Sequence, residues 1–333
     1  MRALVLDQKS SFGISISEVN LPALAPGEVR VKVKSAALNH RDEWCRQGKY
    51  PGIKDGIILG SDGAGIVEEI GEGVDEDWLG RAVIINPAHF WGDDQAVQSG
   101  DFQILGMPSN GTLAEYIHIE ASRLVDKPSH MSFEEAAALP LAGVTAYRAL
   151  FYHGNITAGK KVLISGFGGG VAQFACQFAL AVGADVYVTS SSAAKLEKAV
   201  DLGAKGGFNY RAENWVEEAL VRSDGFDIII DSAMGAGVND LLKLLSPAGK
   251  LIFYGATLGN PEAIDARRIF WNQLTLQGTT MGSDIDFSNM IDFVSLHHII
   301  PIIDQVTDLN GAEEAFLKMN KGEQMGKLVL NLD

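Results

Sequence analysis

Before residue 120, apolar residues come in short alternating runs that are separated by glycine-containing turns. The clearest runs are residues 29–33, 63–67 and 81–85. A period of two residues is typical of strands that bury one face. The pattern therefore predicts a β-rich, partly closed domain in this part of the chain.

From Ser132 onward the apolar period becomes helical, and strands then alternate with helices as far as residues 274–278. This alternation is typical of a doubly wound parallel sheet, so the predicted fold class is α/β. Two further helices are predicted over residues 287–296 and 311–319, and a last strand over residues 327–330.

One stretch, residues 161–172, joins an apolar strand to clustered glycines and then to a helical pattern. A second strand, predicted over residues 185–189, completes a βαβ unit. Glycines let the main chain approach phosphates closely, and the following helix start offers free N–H groups. The same cluster alone would also suit a flexible loop, but its setting favours a dinucleotide pyrophosphate site. The expected contacts are Gly166, Gly168, Gly169, Gly170 and Val171.

The end of the second strand bears on the choice between NAD and NADP. In this fold an acidic residue there binds the ribose 2′-hydroxyl of NAD, but here Thr189 is followed by serines. Hydroxyl donors and a nearby ammonium suit a 2′-phosphate, which a carboxylate would repel. The sequence therefore predicts NADPH, although an ordinary serine-rich turn has the same composition. The expected contacts are Ser190, Ser191, Lys195 and Tyr210, the last at the tip of a strand over residues 207–210.

The length of the chain, 333 residues, exceeds what one hydrophobic core usually serves. We therefore expect two domains with the reaction cleft between them. The first comprises residues 1–127, completed by residues 283–333, and the second comprises residues 128–282.

Charge and cysteine content exclude several classes of function. The formal net charge of −15 argues against nucleic acid or an anionic membrane as a partner, because both need a basic face. The only cysteines, Cys45 and Cys176, indicate neither a disulfide framework nor a Cys-rich zinc site. The first strand is too short for a signal peptide and no apolar run could span a bilayer, so we expect a cytoplasmic protein.

Short motifs spread along nearly the whole chain occur together in one enzyme superfamily. They are Asn39-x-x-Asp42, Gly48-x-Tyr50-Pro51, Gly60-x-Asp62-Gly63-Ala64-Gly65, Gly111-Thr112-x-Ala114-Glu115-Tyr116, Leu141-Ala142-Gly143-x-Thr145-Ala146-Tyr147, the glycine turn and Gly326-Lys327. In these motifs the chain resembles the medium-chain dehydrogenase/reductase superfamily, which holds alcohol dehydrogenases, quinone oxidoreductases and enoyl thioester reductases. The resemblance implies a GroES-like catalytic domain, a Rossmann domain, and usually a homodimer joined through a strand like residues 274–277.

The zinc alcohol dehydrogenases of this superfamily are a poor match. Their first metal-binding cysteine corresponds to Asn39 and their last to Leu141. Their His-Glu pair corresponds to Ser61 and Asp62. Zinc requires thiolate, imidazole or carboxylate ligands in a tetrahedron, so we expect no zinc here. Arg41 also stands where alcohol dehydrogenases usually carry a serine or threonine relay.

The four-cysteine structural zinc lobe of the superfamily is missing as well. Residues 86–106 stand in its place, and the sequence does not predict their fold. The only nearby residues that could form a replacement metal site are His40, Cys45, Asp62 and His89. Their spacing follows no known ligand pattern, so we expect no metal site there. We expect His89 to pack beside Trp91 instead.

Chemistry without a metal favours a conjugated acceptor. When hydride adds to the β-carbon of an enone, quinone or enoyl thioester, the charge spreads into an enolate that needs only hydrogen-bond donors. In the zinc-free branch, Asn39 and Tyr50 resemble the polar groups of the site, and the tyrosine matches a proton donor or orienting residue. Surface packing of Tyr50 and a turn role for Asn39 are the alternatives.

Several other residues resemble cofactor-side positions. Thr145 is similar to a threonine beside the nicotinamide, whereas Tyr254, Gly255 and Ala256 follow a strand at the sheet edge where open α/β sheets bind ligands. Lys327 resembles a family position near the cofactor, although a lysine in a last strand is often solvated. We interpret Asp231 as a capping or supporting residue.

The sequence therefore predicts a zinc-independent, NADPH-dependent oxidoreductase that transfers hydride to a small quinone, enone or enoyl-type carbonyl compound. Two alternatives stay open. One is a zinc-type alcohol dehydrogenase acting on alcohols and aldehydes, and the other is an NADPH-binding regulatory protein without turnover.

Overall fold

The computed structural model describes residues 1–333, whose helices and strands follow in chain order. The strands are β1 (Arg2–Leu6), β2 (Ile14–Glu18), β3 (Glu28–Ala37), β4 (Asp62–Ile70), β5 (Ala82–Ile85), β6 (Ala88–His89), β7 (Gln103–Ile104), β8 (Tyr116–Glu120), β9 (Leu124–Asp126), β10 (Lys161–Ile164), β11 (Asp185–Thr189), β12 (Gly206–Phe208), β13 (Phe226–Asp231), β14 (Leu245–Phe253), β15 (Thr275–Gly278), β16 (Ile303–Thr307) and β17 (Lys327–Asn331). The α-helices are α1 (His40–Arg46), α2 (Phe133–Ala138), α3 (Pro140–Tyr147), α4 (Gly170–Val182), α5 (Ala193–Asp201), α6 (Trp215–Ser223), α7 (Val238–Leu244), α8 (Ala266–Asn272), α9 (Asp284–Leu296) and α10 (Ala312–Lys321).

The chain divides into two compact units. The first comprises Met1–Val144 and Gly282–Asp333, and the second comprises Thr145–Met281. The first unit therefore continues beyond residue 127, where we expected the boundary, because α2 packs against β3 and β4. The domain limits given above remain a prediction.

The first unit is built on a seven-stranded sheet in the order β16-β17-β3-β4-β5-β9, with β8 also paired to β3. Alternate residues of β3, including Val29, Val31 and Val33, are fully buried, which confirms the β-rich reading of this region. Ala37 at the end of β3 pairs with Asp62 of β4 and with Val329 of β17. Three strand ends from distant parts of the chain therefore meet at the start of α1.

The second unit has a six-stranded sheet in the order β12-β11-β10-β13-β14-β15, and all of its pairs are parallel. This arrangement confirms the predicted doubly wound sheet, whose order reverses between β10 and β13. β12 ends at Phe208, so Tyr210 lies in the following turn and not at a strand tip. The reason is local, because the Asn209 side chain accepts the Arg211 N–H at 3.0 Å and turns the chain.

Residues 86–106 contain only the short β6–β7 pair as regular structure. Trp91 packs edge-on against Phe102 at 5.3 Å between ring centroids and donates its Nε1 hydrogen to Asp94 O at 3.0 Å. His89 lies against Phe90, with 5.9 Å between the ring centroids. The expected packing of His89 beside Trp91 stays a prediction.

The C-terminal helices α9 and α10 and the strand β17 confirm the elements predicted there. Among the helices, none has both the length and the apolar composition that crossing a bilayer requires.

Candidate active site

The glycine turn of the second unit joins β10 to α4 and has an open outer face. Gly166 and Gly168 have φ of 65° and 124°, angles that side chains disfavour. Outside the chain neighbours, a Cβ atom built on Gly166 or Gly169 would meet no atom closer than 3.8 Å. Gly169 caps α4, and Gly170 and Val171 form its first turn, where N–H groups have no intrahelical acceptor. The turn therefore fits a dinucleotide pyrophosphate.

Lys195, near the start of α5, lies against this turn. A Cβ atom on Gly168 would come within 2.9 Å of Lys195 Nζ. The ammonium group is thus placed beside backbone that suits phosphate. From this position it can serve either the pyrophosphate or a ribose 2′-phosphate.

The serines after β11 form a compact turn without an acidic residue. Ser190 is buried, and its Oγ accepts the Ser192 N–H at 3.2 Å, while its own N–H donates to Phe208 O at 3.1 Å. The hydroxyl hydrogen of Ser190 has no acceptor within the protein. Ser191 is exposed, and Tyr210 is 44% exposed. Hydroxyl donors are therefore available here, and no carboxylate opposes a phosphate.

Asp231 organises the loops at the point where the strand order reverses. Its carboxylate accepts hydrogen bonds from Ser165 Oγ, from Ala233 N at 3.0 Å and from Met234 N at 2.7 Å. Tyr254 N donates to Asp231 O at 3.0 Å. These contacts make Asp231 a structural support for the loops after β10, β13 and β14.

The other residues expected to contact the cofactor differ in their burial. They are Tyr254, Gly255, Ala256 and Thr145. Burial raises the pKa of the Tyr254 hydroxyl, and a hydrogen bond with Ser232 offsets only part of this increase. The hydroxyl group therefore stays neutral. A Cβ atom on Gly255 would lie 3.0 Å from Ser232 O, so the neighbouring loop already favours glycine there. Ala256 is exposed, and Thr145 is buried in α3. Contact of these residues with a cofactor stays a prediction.

In the first unit, the three strand ends meet around a buried ammonium group. Lys327 is 3% exposed, and its Nζ donates to Asn39 Oδ1 at 2.7 Å and to Asp62 Oδ2 at 2.9 Å. Asn39 Nδ2 donates to the same oxygen of Asp62 at 2.9 Å. Leu141 N donates to the other carboxylate oxygen at 2.8 Å. We call Lys327, Asn39 and Asp62 the lysine cluster.

The donor atoms of the lysine cluster do not form a zinc ligand set. The side-chain oxygens of Asn39 and Asp62 already accept from Lys327, and Leu141 contributes only a backbone N–H. No group of three or more His, Cys, Asp and Glu side chains is placed to hold a metal ion. A tetrahedral zinc site needs three or four such ligands.

The replacement metal set considered from the sequence is not assembled either. Burial, together with the nearby Asp42, raises the pKa of the Cys45 thiol to about 12. The thiol is therefore protonated at neutral pH and is a poor metal ligand.

A second polar group lies beside the lysine cluster, because Ser61 directly precedes Asp62. Arg41 Nη1 donates to Ser61 Oγ at 2.7 Å, and Arg41 Nε donates to the Tyr50 hydroxyl oxygen at 3.3 Å. The guanidinium carbon is also 4.8 Å from the centroid of the Tyr50 ring. We call Arg41, Tyr50 and Ser61 the arginine cluster.

Sequence reasoning identified Asn39 and Tyr50 but missed the cations that hold them. A lysine in a last strand is often solvated, yet the side chain of Lys327 is almost completely buried. The sequence marks Arg41 only as a departure from the alcohol dehydrogenases. The available signal was the unpaired acid Asp62 next to a buried strand, which requires a cation from elsewhere in the chain.

Comparisons with known proteins match both units. A family model described as "Alcohol dehydrogenase GroES-like domain" matches residues 25–129, and one described as "Zinc-binding dehydrogenase" matches residues 170–295. The second match does not include the residues of the lysine cluster.

Similar proteins span the whole chain. "Zinc-type alcohol dehydrogenase-like protein YogA" of Leptosphaeria maculans is 34% identical over 96% of this chain and 95% of its own length. A zinc-type alcohol dehydrogenase-like protein of Schizosaccharomyces pombe is 34% identical over 100% of this chain and 99% of its own. A crystal structure described as an NAD-dependent alcohol dehydrogenase superposes with a TM-score of 0.94, at 32% identity and 99% coverage of both chains.

Proposed function

Because the chain belongs to the medium-chain dehydrogenase/reductase superfamily of nicotinamide-dependent oxidoreductases, we propose that it reduces small activated carbonyl compounds with NADPH and without zinc. Quinones, enones and enoyl thioesters are the acceptor class. The observation that carries the proposal is the lysine cluster, because an ammonium group of the chain itself bonds Asn39 and Asp62, which stand where the resemblance places zinc ligands.

The lysine cluster fixes the orientation of the Asn39 amide. An ammonium group only donates and a carboxylate only accepts, so Oδ1 must face Lys327 and Nδ2 must face Asp62. One Nδ2 hydrogen of Asn39 and one ammonium hydrogen of Lys327 then have no partner within the protein. Donors held in place by a buried ion pair suit the oxygen on which an enolate charge develops.

Tyr50 is proposed to donate or steer the proton that completes the reduction. Its hydroxyl oxygen accepts from Arg41, and its own hydrogen has no acceptor within the protein. A neutral phenol can give that hydrogen to an oxygen or carbon of the substrate without prior ionisation.

The overall reaction balances as one hydride and one proton per acceptor. The hydride that the β-carbon of the acceptor receives would come from NADPH when it is bound. Asn39 holds the carbonyl oxygen as it gains charge, and a proton from Tyr50 or from water that it orients then reaches the α-carbon. Conjugation spreads the charge, so hydrogen-bond donors suffice where a simple ketone would favour a metal.

The cofactor proposal rests on the second unit. The open glycine turn would receive the pyrophosphate, and the hydroxyl groups of Ser190 and Ser191 with Lys195 and Tyr210 would receive the 2′-phosphate. A carboxylate that would bind the ribose of NAD is absent from the end of β11.

Alcohol oxidation with zinc is the second candidate function, because two similar proteins are described as zinc-type alcohol dehydrogenase-like and one similar structure as an NAD-dependent alcohol dehydrogenase. Against it stand the donor atoms of the lysine cluster and the arginine at the relay position. A zinc enzyme would need ligands that the positions of Asn39 and Leu141 do not supply.

We further propose a homodimer that joins the sheets of two second units. β15 is an edge strand, and the adjacent α8 exposes Phe270 and Trp271, which are 67% and 80% accessible. Exposed aromatic residues beside an unpaired strand suit a second copy of the chain. Light scattering of purified protein should give twice the chain mass, and a monomer at micromolar concentration would refute this.

The test of the proposed function is a panel of acceptors and alcohols with both cofactors. We expect NADPH oxidation with quinones, enones or enoyl thioesters and little NAD-dependent oxidation of alcohols. Alcohol turnover that exceeds every reduction would support the zinc alternative. Tight NADPH binding without turnover on any compound would support a regulatory protein.

A further inference from the structure

Arg41 is a buried side chain whose hydrogen-bonding capacity is completely used. It is 6% exposed, and a guanidinium has five N–H donors and no acceptor. Five oxygen atoms accept from it. They are Ser61 Oγ at 2.7 Å, Leu105 O at 2.6 Å, Ile104 O at 3.4 Å, Met107 O at 3.2 Å and the Tyr50 hydroxyl at 3.3 Å. No donor is left for a substrate, so Arg41 cannot bind one directly.

Three of these five acceptors are backbone carbonyls in residues 104–107. This short stretch closes the 86–106 segment, which has almost no regular structure of its own. None of the acceptors is a carboxylate, and the nearest acid, Asp42, acts on Arg41 only through its electrostatic field. The same side chain therefore holds both the end of an irregular segment and the hydroxyl of Tyr50.

The hydrogen bond from Arg41 has a direction that matters for Tyr50. Because the guanidinium cannot accept, the phenol oxygen must be the acceptor and its hydrogen must point elsewhere. Ser61, the other hydroxyl in the group, already donates its hydrogen to Leu105 O at 2.8 Å. Tyr50 is thus the one member of the arginine cluster with a hydrogen still free to donate.

We propose that Arg41 is a positioning residue that sets the direction of the Tyr50 proton and couples it to the placement of residues 104–107. The inference rests on the proposed role of Tyr50. Arg41 would then contribute to proton delivery as well as to the hydrogen bonding of this buried region.

The test measures kcat for an enone and for a quinone in Arg41→Lys, alone and combined with Tyr50→Phe. Lysine keeps the charge but cannot satisfy five acceptors, so Tyr50 should lose its fixed direction. We expect about tenfold to a hundredfold lower kcat for the enone, a much smaller loss for the quinone, and unchanged NADPH affinity. In the Tyr50→Phe background the same substitution should change enone kcat less than about twofold, because the two residues act together.

Arg46→Lys is the matched control. Arg46 lies on the same helix, stacks on Phe12 with its guanidinium carbon 4.1 Å from the ring centroid, and bonds the backbone oxygen of Phe12 at 2.7 Å. Its replacement should leave the enone-to-quinone ratio unchanged. Ser61→Ala is a milder second variant, which removes one acceptor of Arg41 and should cause a smaller loss that is again selective for the enone.

The outcomes separate the two proposals. Equal losses of Arg41→Lys on enone and quinone, or an undiminished loss in the Tyr50→Phe background, would overturn the positioning role while leaving Tyr50 as donor. If Arg41→Lys does not fold, the same two criteria apply to Ser61→Ala. If Tyr50→Phe alone leaves enone turnover intact, the proposed proton donor is wrong and the inference about Arg41 fails with it.

Discussion

The glycine turn of the second unit and the two polar clusters of the first unit are built in opposite ways. The turn is one contiguous stretch whose backbone angles and N–H groups would bind the pyrophosphate. The clusters are made of side chains from distant stretches, such as Lys327 and Asp62, which are separated by 265 positions. The turn depends on residues that allow its backbone angles, whereas each cluster depends on every one of its side-chain partners.

Because the two sites are built from different parts of the chain, we expect substitutions in them to affect turnover and NADPH affinity separately. Substitutions in the first unit should change turnover and stability but not NADPH affinity. Substitutions after β11 should change NADPH affinity but not the handling of the acceptor.

The largest effect is expected from Lys327→Met. The substitution leaves the completely buried carboxylate of Asp62 without its cation, and loss of one partner of a buried pair costs about 3–5 kcal/mol. Urea unfolding should show this loss, together with reduced enone turnover. The exposed pair Lys243–Asp240 provides the control, because Lys243→Met should cost less than about 1 kcal/mol. Equal losses in the two variants would contradict the structural importance of the lysine cluster.

The next effect is that of Tyr50→Phe on turnover. A positioned general acid contributes about a hundredfold or more, so enone kcat should fall by that factor while NADPH affinity stays the same. Quinones need no protonation at carbon and should be less affected. A loss within a factor of two would reduce Tyr50 to a packing role, and an equal large loss on both acceptors would make it a residue that shapes the site.

A smaller effect is expected at the cofactor end. Ser190→Asp should reverse the preference from NADPH to NADH, because repulsion of the 2′-phosphate costs on the order of a few kcal/mol in an enclosed site. Calorimetry with both cofactors measures this directly, and enone kcat at saturating cofactor should change little. Equal affinity of the unmodified protein for NADPH and NADH would show that the serines form an ordinary turn.

The smallest effect is expected from Lys195→Ala, which tests whether the Lys195 ammonium contacts the 2′-phosphate or the pyrophosphate. Lys195→Ala should weaken NADPH binding by about tenfold and NADH binding much less, if the lysine contacts the 2′-phosphate. Lys198→Ala, an exposed lysine on the same helix, should change neither. An equal loss for both cofactors would place Lys195 at the pyrophosphate, next to Gly168.

The two regions also differ in how far the sequence predicts them. The strand β11 has the predicted limits, and the glycine turn lies where expected, because local pattern and backbone chemistry decide both. The burial of Lys327 follows instead from the pairing of β17 with β3, a long-range contact that apolar periodicity does not reveal. Three of the five acceptors of Arg41 lie in residues 104–107, at the end of the 86–106 segment, which has no periodic pattern.

The central claim is that the protein reduces its acceptor without a catalytic zinc ion, and metal content measured together with activity tests it most directly. Protein purified without a metal-binding tag should be analysed by mass spectrometry and assayed for NADPH-dependent enone reduction before and after chelation. We expect far less than one zinc ion per chain and the same activity in both states. Stoichiometric zinc that is lost together with activity on chelation would contradict the account.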